Sequence, residues 1–164
     1  MAKITIKIMI KSPEFQFIEP TYFITFVTWE RSELTPEARE IVLNSFLFFH
    51  QQRYQIFSVV IMPDHVHCLI VPFLKKESEY WSIGSIIHSI KGYSAKEIPK
   101  VMKHIGKVWQ DGRHERLIKS QKEMIDVWKY IRQNPVKAEL VNKPEEYPFF
   151  WELDRNLSPY FQNN

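Results

Sequence analysis

A chain of 164 residues suits one compact domain, and an apolar content of 45% with 15% aromatics excludes wholesale disorder. Four glycines and one cysteine leave no glycine-rich nucleotide loop, no internal disulfide and no cysteine-based zinc cluster. Net charge is +3 but uneven: Lys91 to Lys143 holds thirteen Lys/Arg against six Asp/Glu, so that segment is either a solvated face or a nucleic-acid surface.

In chain order, Lys3 to Lys11 alternates Lys, Thr or Met with Ile and predicts an added edge strand, followed by a connector between Pro13 and Pro20. Tyr22 to Trp29 reads as a strand of aromatic, β-branched and threonine residues. Thr35-Pro36 opens a helix, with Thr as cap and Pro at the first helical position. Its buried stripe is expected at Ile41, Val42, Ser45, Phe46 and Phe49, and its end near Arg53. Tyr54 to Met62 and Val66 to Pro72 form a hairpin around Pro63-Asp64, with two histidines at the start of the second arm. A charged loop from Lys75 to Glu79 follows.

Ile83, Ile86, Ile87 and Ile90 mark a second helix that continues through Ser94 and is limited by Pro99. Short strands are expected at Val108 to Gln110 and Leu117 to Ile118, around a polar connection at Asp111 and Gly112. Ser120 and Glu123 make a capping box for a third helix that Pro135 should close. The order β, α, β, β, α, β, α predicts an α+β protein, a ferredoxin-like antiparallel sheet with helices packed on it. No leader pattern and no run of ~20 apolar residues is visible, so the expected location is the cytoplasm, away from any membrane.

His65-Val66-His67 places two imidazoles on one face of a strand, about 7 Å apart along it, where one metal can bridge them. The same spacing also fits two hydrogen-bonded surface histidines. Cys68 points to the opposite face and is a poor third ligand; Asp64 can act in either shell. On the third helix, Met124, Ile125, Val127, Trp128 and Ile131 collect on one arc. Tyr130 falls outside that arc, on a stripe with Glu123, Asp126 and Asn134. Two imidazoles and one carboxamide oxygen would hold a divalent ion and leave positions for phosphate oxygens, and a phenolate beside it is a competent nucleophile.

The motifs Met62-Pro-Asp-His-Val-His67, Ile90-Lys91, Trp109-Gln110, and Tyr130-Ile-x-x-Asn-Pro-Val-Lys137 leading into Tyr147-Pro148 resemble the HUH single-tyrosine transposases, most closely those associated with repetitive extragenic palindromes. The match runs from about residue 21 to 148 of a single 1–164 domain, leaving 1–20 as an extra strand and connector and 149–164 as a tail. The resemblance implies a ferredoxin-like fold whose C-terminal helix carries the nucleophile Tyr130. It implies Mg²⁺ or Mn²⁺ held by His65, His67 and Asn134, and cleavage of single-stranded or hairpin DNA through a 5′-phosphotyrosine. Lys91, Arg113, Arg116 and Lys137 become candidate DNA contacts, in agreement with the basic segment. Both a monomer and a homodimer exchanging tyrosine helices fit the resemblance. Two departures stand out: Arg113-His114-Glu115 replaces an aromatic pair, and Glu139 replaces a frequent glycine. The competing readings are an inactive hairpin-DNA-binding protein and a phosphodiesterase that activates water instead of Tyr130.

Overall fold

The computed structural model describes residues 19–154; the expected strand at Lys3 to Lys11 and the end of the tail lie outside them. Five strands form one antiparallel sheet: β1 (Tyr22–Val27), β2 (Tyr54–Ile61), β3 (His65–Pro72), β6 (His114–Leu117) and β7 (Phe150–Glu152), in the order β6-β1-β3-β2-β7. A small ribbon, β4 (Leu74–Lys76) and β5 (Glu79–Tyr80), stands where a charged loop is expected. The first four sheet strands with α1 (Pro36–Phe48) and α2 (Ile83–Glu97) make the ferredoxin-like unit, and α3 (Gln121–Lys137) follows it.

Alternation along the strands separates two cores. Ile24 and Phe26 of β1 and Val66, Cys68 and Ile70 of β3 pack with Val42, Phe46, Ile86 and Ile90 of α1 and α2. Leu69 and Val71 of β3 pack with Met124, Val127, Trp128 and Ile131 of α3. The sheet is therefore covered by α1 and α2 on one face and by α3 on the other. A register shift between Ile56 and Ser58 of β2 lets Phe57 join the α3 side.

Local chemistry explains where the elements stop. Thr35 Oγ1 accepts from Ala38 N at 3.3 Å and starts α1. The helix ends at Phe48, short of the expected Arg53: Gln51 takes a left-handed φ of 63°, its N–H reaches Tyr54 O, and Arg53 stacks on Phe49. Of the expected stripe Val42, Ser45 and Phe46 are buried and Ile41 and Phe49 only partly, while Ala38 is also in the core. No strand forms at Val108 to Gln110. That segment instead lies along the end of β1 through an isolated bridge between Thr28 and Trp109, and Gln110 N donates to Val27 O. The strand near Leu117 begins earlier, at His114, because Glu115 and Arg116 pair with Ile24 and Phe23.

Ser120 Oγ caps α3 by accepting from Glu123 N at 3.1 Å, and Glu123 reaches back to Lys119 N, one residue beyond the usual partner. Pro135 does not close the helix. It sits in the last turn, where the loss of one N–H is offset by burial of its ring, and α3 runs on to Lys137. Glu139 N then donates to Val136 O and Leu140 N to Pro135 O, the two bonds of a Schellman motif. That motif needs a left-handed residue at its turn, and Glu139 supplies it at φ 57°.

Phe150 to Glu152, which follow Tyr147, are part of the sheet and not an appendage. Phe150 and Trp151 pair with Val60 and Val59 of β2. Arg132 on α3 forms ion pairs with Glu145 and Glu152, and Trp128 Nε1 donates to Glu152 at 3.0 Å. Tyr147, which closes the sequence motif, donates to Ile61 O at 2.7 Å and accepts from Arg39 at 3.0 Å. These contacts fix α3 against β2. Because a Cβ is strained at the left-handed turn, Glu139→Gly is expected to stabilise the protein by about 1 kcal/mol, read as a higher urea midpoint with an unchanged slope.

Candidate active site

Position on β3 decides which side chains meet α3. His65 and His67 face it, in line with Leu69 and Val71, while Cys68 is fully buried in the other core with its thiol pushed up by burial. The two imidazole centroids are 4.8 Å apart. Each ring is oriented from behind by a hydrogen bond to its Nδ1. Asp64 Oδ1 lies 2.6 Å from His65 Nδ1, and Thr25 Oγ1, directly across the strand pair on β1, lies 2.7 Å from His67 Nδ1.

A carboxylate only accepts, so His65 donates its Nδ1 proton to Asp64 and keeps a lone pair on Nε2. That lone pair faces Asn134 Oδ1 at 3.3 Å. Tyr130 Oη lies 3.5 Å from His67 Nε2, with ring centroids 5.2 Å apart, and Phe23 meets Tyr130 edge-on at 6.0 Å. Tyr130 is 42% exposed, outside the apolar arc of α3. Its Asn134 neighbour is one helical turn further on, so both side chains reach the histidine face from one element.

The donor set, two imidazole nitrogens and one carboxamide oxygen, could hold a divalent ion. His65 Nε2 and Asn134 Oδ1 are two acceptors that face each other at 3.3 Å, a pair that a cation would satisfy. Among the described residues no cluster of three or more His, Cys, Asp or Glu forms, and the side-chain oxygen that faces His65 Nε2 is that of Asn134. Asp64 is on the Nδ1 side of His65, away from Nε2, which gives it an orienting place and not a ligating one. Burial first, then the charges of His65 and Arg31, lowers the His67 pKa to about 3. His67 therefore stays neutral, the form that ligates, throughout the cellular pH range.

The four basic residues expected to touch DNA divide into two pairs. Arg116 and Lys137 flank Tyr130. Arg116 lies 5.6 Å over the Phe23 ring and pairs with Glu123, and Lys137 Nζ lies 5.8 Å from the Tyr130 ring centroid. Arg116 and Tyr130 line a groove of about 470 Å³ with Phe23, Glu123 and Asp126. Lys91 and Arg113 instead line a second groove, between α2 and the loop before β6, which contains all four glycines of the chain.

Lys91 is already engaged there: Nζ donates to Gln110 O at 2.7 Å and Gly112 O at 2.9 Å, and burial lowers its pKa. Three residues on, Ser94 accepts from Trp109 Nε1 at 2.9 Å. The Ile-Lys and Trp-Gln motifs are thus two halves of one clasp. Arg113 pairs with Glu115 at 2.7 Å. Sequence reasoning passed over Thr25 and Arg31, whose Nε lies 2.9 Å from Asp64 Oδ2. Thr25 was recoverable from the β1 to β3 register; nothing local in the sequence marks Arg31.

The low His67 pKa has a consequence for stability. Between about pH 6.5 and about pH 3 the unfolded chain binds a proton at His67 that the folded protein does not, so metal-free protein loses stability as pH falls through that window. The expected slope from this group is about 1.4 kcal/mol per pH unit at most. Thermal melts of metal-free protein against pH should show it, and His67→Asn should flatten part of the slope, with the part due to half-buried His50 remaining.

The fold is shared with known proteins. A protein of Haemophilus influenzae that carries the name of a REP-associated tyrosine transposase is 25% identical over 142 residues, covering 78% of this chain and 77% of that protein. The structure of a REP-associated tyrosine transposase bound to a REP hairpin superposes with a TM-score of 0.68 at 21% identity, covering 95% of this chain and 92% of the other. A Deinococcus radiodurans R1 structure described as a transposase gives a TM-score of 0.51 at 18% identity, over 75% of this chain and 95% of that one. The model of the family described as "Transposase IS200 like" matches residues 19–134. The chain belongs to the IS200-like transposase family.

Proposed function

We propose that the protein cleaves and rejoins single-stranded or hairpin DNA through a covalent tyrosine intermediate. The observation that carries this reading is the convergence of Tyr130 Oη, His67 Nε2, His65 Nε2 and Asn134 Oδ1 on one surface between β3 and α3. A water-activating phosphodiesterase has no need of a phenol at that place, and a binding protein has no need of the ligand set.

In this reading His65, His67 and Asn134 hold Mg²⁺ or Mn²⁺, which supplies polarisation of the scissile phosphate and charge stabilisation as the reaction proceeds. Tyr130 Oη attacks phosphorus, the P–O3′ bond breaks, and the leaving oxygen takes up a proton as the free 3′-hydroxyl; the phenol proton passes to solvent. The DNA end remains as a 5′-phosphotyrosine. Rejoining is the reverse: a 3′-hydroxyl attacks the phosphotyrosine and returns Tyr130. Arg116 and Lys137 bind backbone phosphates beside the tyrosine, and Phe23 offers a ring edge to an unpaired base. The hairpin named with the structural relative supports a hairpin as the target. A monomer suffices in this reading, since one chain supplies both histidines, the tyrosine and the asparagine.

Incubation of labelled hairpin DNA with Mn²⁺ and denaturing electrophoresis tests the proposal. Wild type is expected to give a covalent adduct. Tyr130→Phe should keep Tm within about 1 °C, because it removes one exposed oxygen and little packing, and should lose both cleavage and adduct. Cutting that persists in Tyr130→Phe assigns the nucleophile to water, and wild type that binds hairpin DNA without cutting or adduct is an inactive binder. His65→Ala and His67→Ala should abolish Mn²⁺ binding in calorimetric titration, with Asn134→Ala weakening it about tenfold, since water can replace one neutral oxygen donor.

A further inference from the structure

The loop between β1 and α1 contains two consecutive residues in the left-handed region, Glu30 (φ 52°, ψ 25°) and Arg31 (φ 58°). A Cβ there crowds the following carbonyl, so glycine or asparagine is the usual occupant. No residue of this turn, Trp29–Arg31, is buried, so side-chain packing does not offset the strain. Hydrogen bonds on both flanks hold it instead. Thr28 donates through N and Oγ1 to Asp64 O at 2.9 and 3.1 Å, Leu34 N donates to Pro63 O at 2.6 Å, and Trp29 N donates to Val108 O at 2.8 Å. The loop is sewn to the β2–β3 turn that carries Asp64.

The product of that strain is one contact. Arg31 Nε reaches Asp64 Oδ2 at 2.9 Å while Asp64 Oδ1 takes the Nδ1 proton of His65 at 2.6 Å. We propose that the strained turn is a positioning device: Arg31 locks the Asp64 carboxylate in the orientation that fixes the His65 tautomer and aims its Nε2 lone pair at the metal position beside Asn134. The inference rests on the reading of His65 as a ligand, and Arg31 acts through Asp64.

Two physical arguments support it. The terminal torsion of Asp is broad and two-fold, so a partly exposed carboxylate with one partner has freedom to turn, and a second partner on the other oxygen removes it. A bare carboxylate next to a site for a DNA phosphate would also repel the substrate, and the guanidinium cancels that charge. Strain kept at such a place, without packing to offset it, argues for a use.

Arg31→Gly separates this role from a merely structural one, because glycine relieves the left-handed backbone while deleting the guanidinium. Two-bond nitrogen–proton NMR spectra of metal-free protein report the His65 tautomer, and calorimetry reports Mn²⁺ affinity. The expected result is an equal or higher Tm, a His65 signature shifted from Nδ1–H towards a mixture, and Mn²⁺ binding about tenfold weaker, as for other partners behind a histidine ligand. Arg31→Lys should recover part of both signals. An unchanged His65 signature in Arg31→Gly overturns the proposal, as does a fall of Tm in step with affinity. If wild type binds no Mn²⁺, the metal reading of the site fails, while the tautomer shift in metal-free protein still decides the role of Arg31.

Discussion

Alternation along β3 is the constraint on which the rest depends. A strand turns successive side chains to opposite faces, so the same eight residues that bury Val66, Cys68 and Ile70 under α1 and α2 present His65 and His67 to α3. A slip of one residue against β1 would bury both imidazoles in the apolar core and expose a cysteine at the site. The register is pinned from both sides, because β3 is the middle strand and pairs with β1 along Tyr22 to Val27 and with β2 along Tyr54 to Ile61. Thr25 and His67 are opposite each other in that register, which is why a β1 side chain can orient a β3 ring.

The second requirement is that α3 keep a fixed place over the histidines. Its apolar arc supplies the adhesion, with Met124, Val127, Trp128 and Ile131 packed on the sheet. An apolar contact alone permits sliding along the helix axis. Arg132 is bound by Glu145 and Glu152, and Trp128 also by Glu152, so polar contacts of fixed direction tie the helix to the last strand. Since that strand pairs with β2, the position of Tyr130 relative to His67 is set through two elements that carry no chemistry themselves.

What was legible in the sequence follows from period. The hairpin, the side of β3 occupied by the histidines, and the placing of Tyr130 and Asn134 one turn apart outside the apolar arc all come from counting by two or by 3.6. Features that depend on distant partners were not legible. Phe150 to Glu152 reads as an acidic, aromatic tail because only the free edge of β2 makes it a strand. Pro135 reads as a stop because its burial against the core is invisible in one dimension. Glu139, a departure from the expected glycine, keeps the left-handed turn that a glycine would make, so the departure is a matter of local strain and leaves the helix end intact.

The basic segment shows the same limit in electrostatic form. Counting charges between Lys91 and Lys143 finds an excess, but the fold commits much of it: Lys107 to Asp111, Arg113 to Glu115, Arg116 to Glu123 and Lys122 to Asp126 are paired, and Lys91 serves two carbonyls. Exposed pairs of this kind contribute about 0–1 kcal/mol each, so a phosphate can replace the carboxylate at little cost to the fold. The engagement of Lys91 is different in kind, because it closes the loop that carries Trp109 against α2. Lys137 has no carboxylate partner among the described residues and lies against the ring of Tyr130. Of Lys91, Arg113, Arg116 and Lys137 it is the one cation not already engaged by a carboxylate or a carbonyl, which suits it, in the proposed reading, to meet a backbone phosphate.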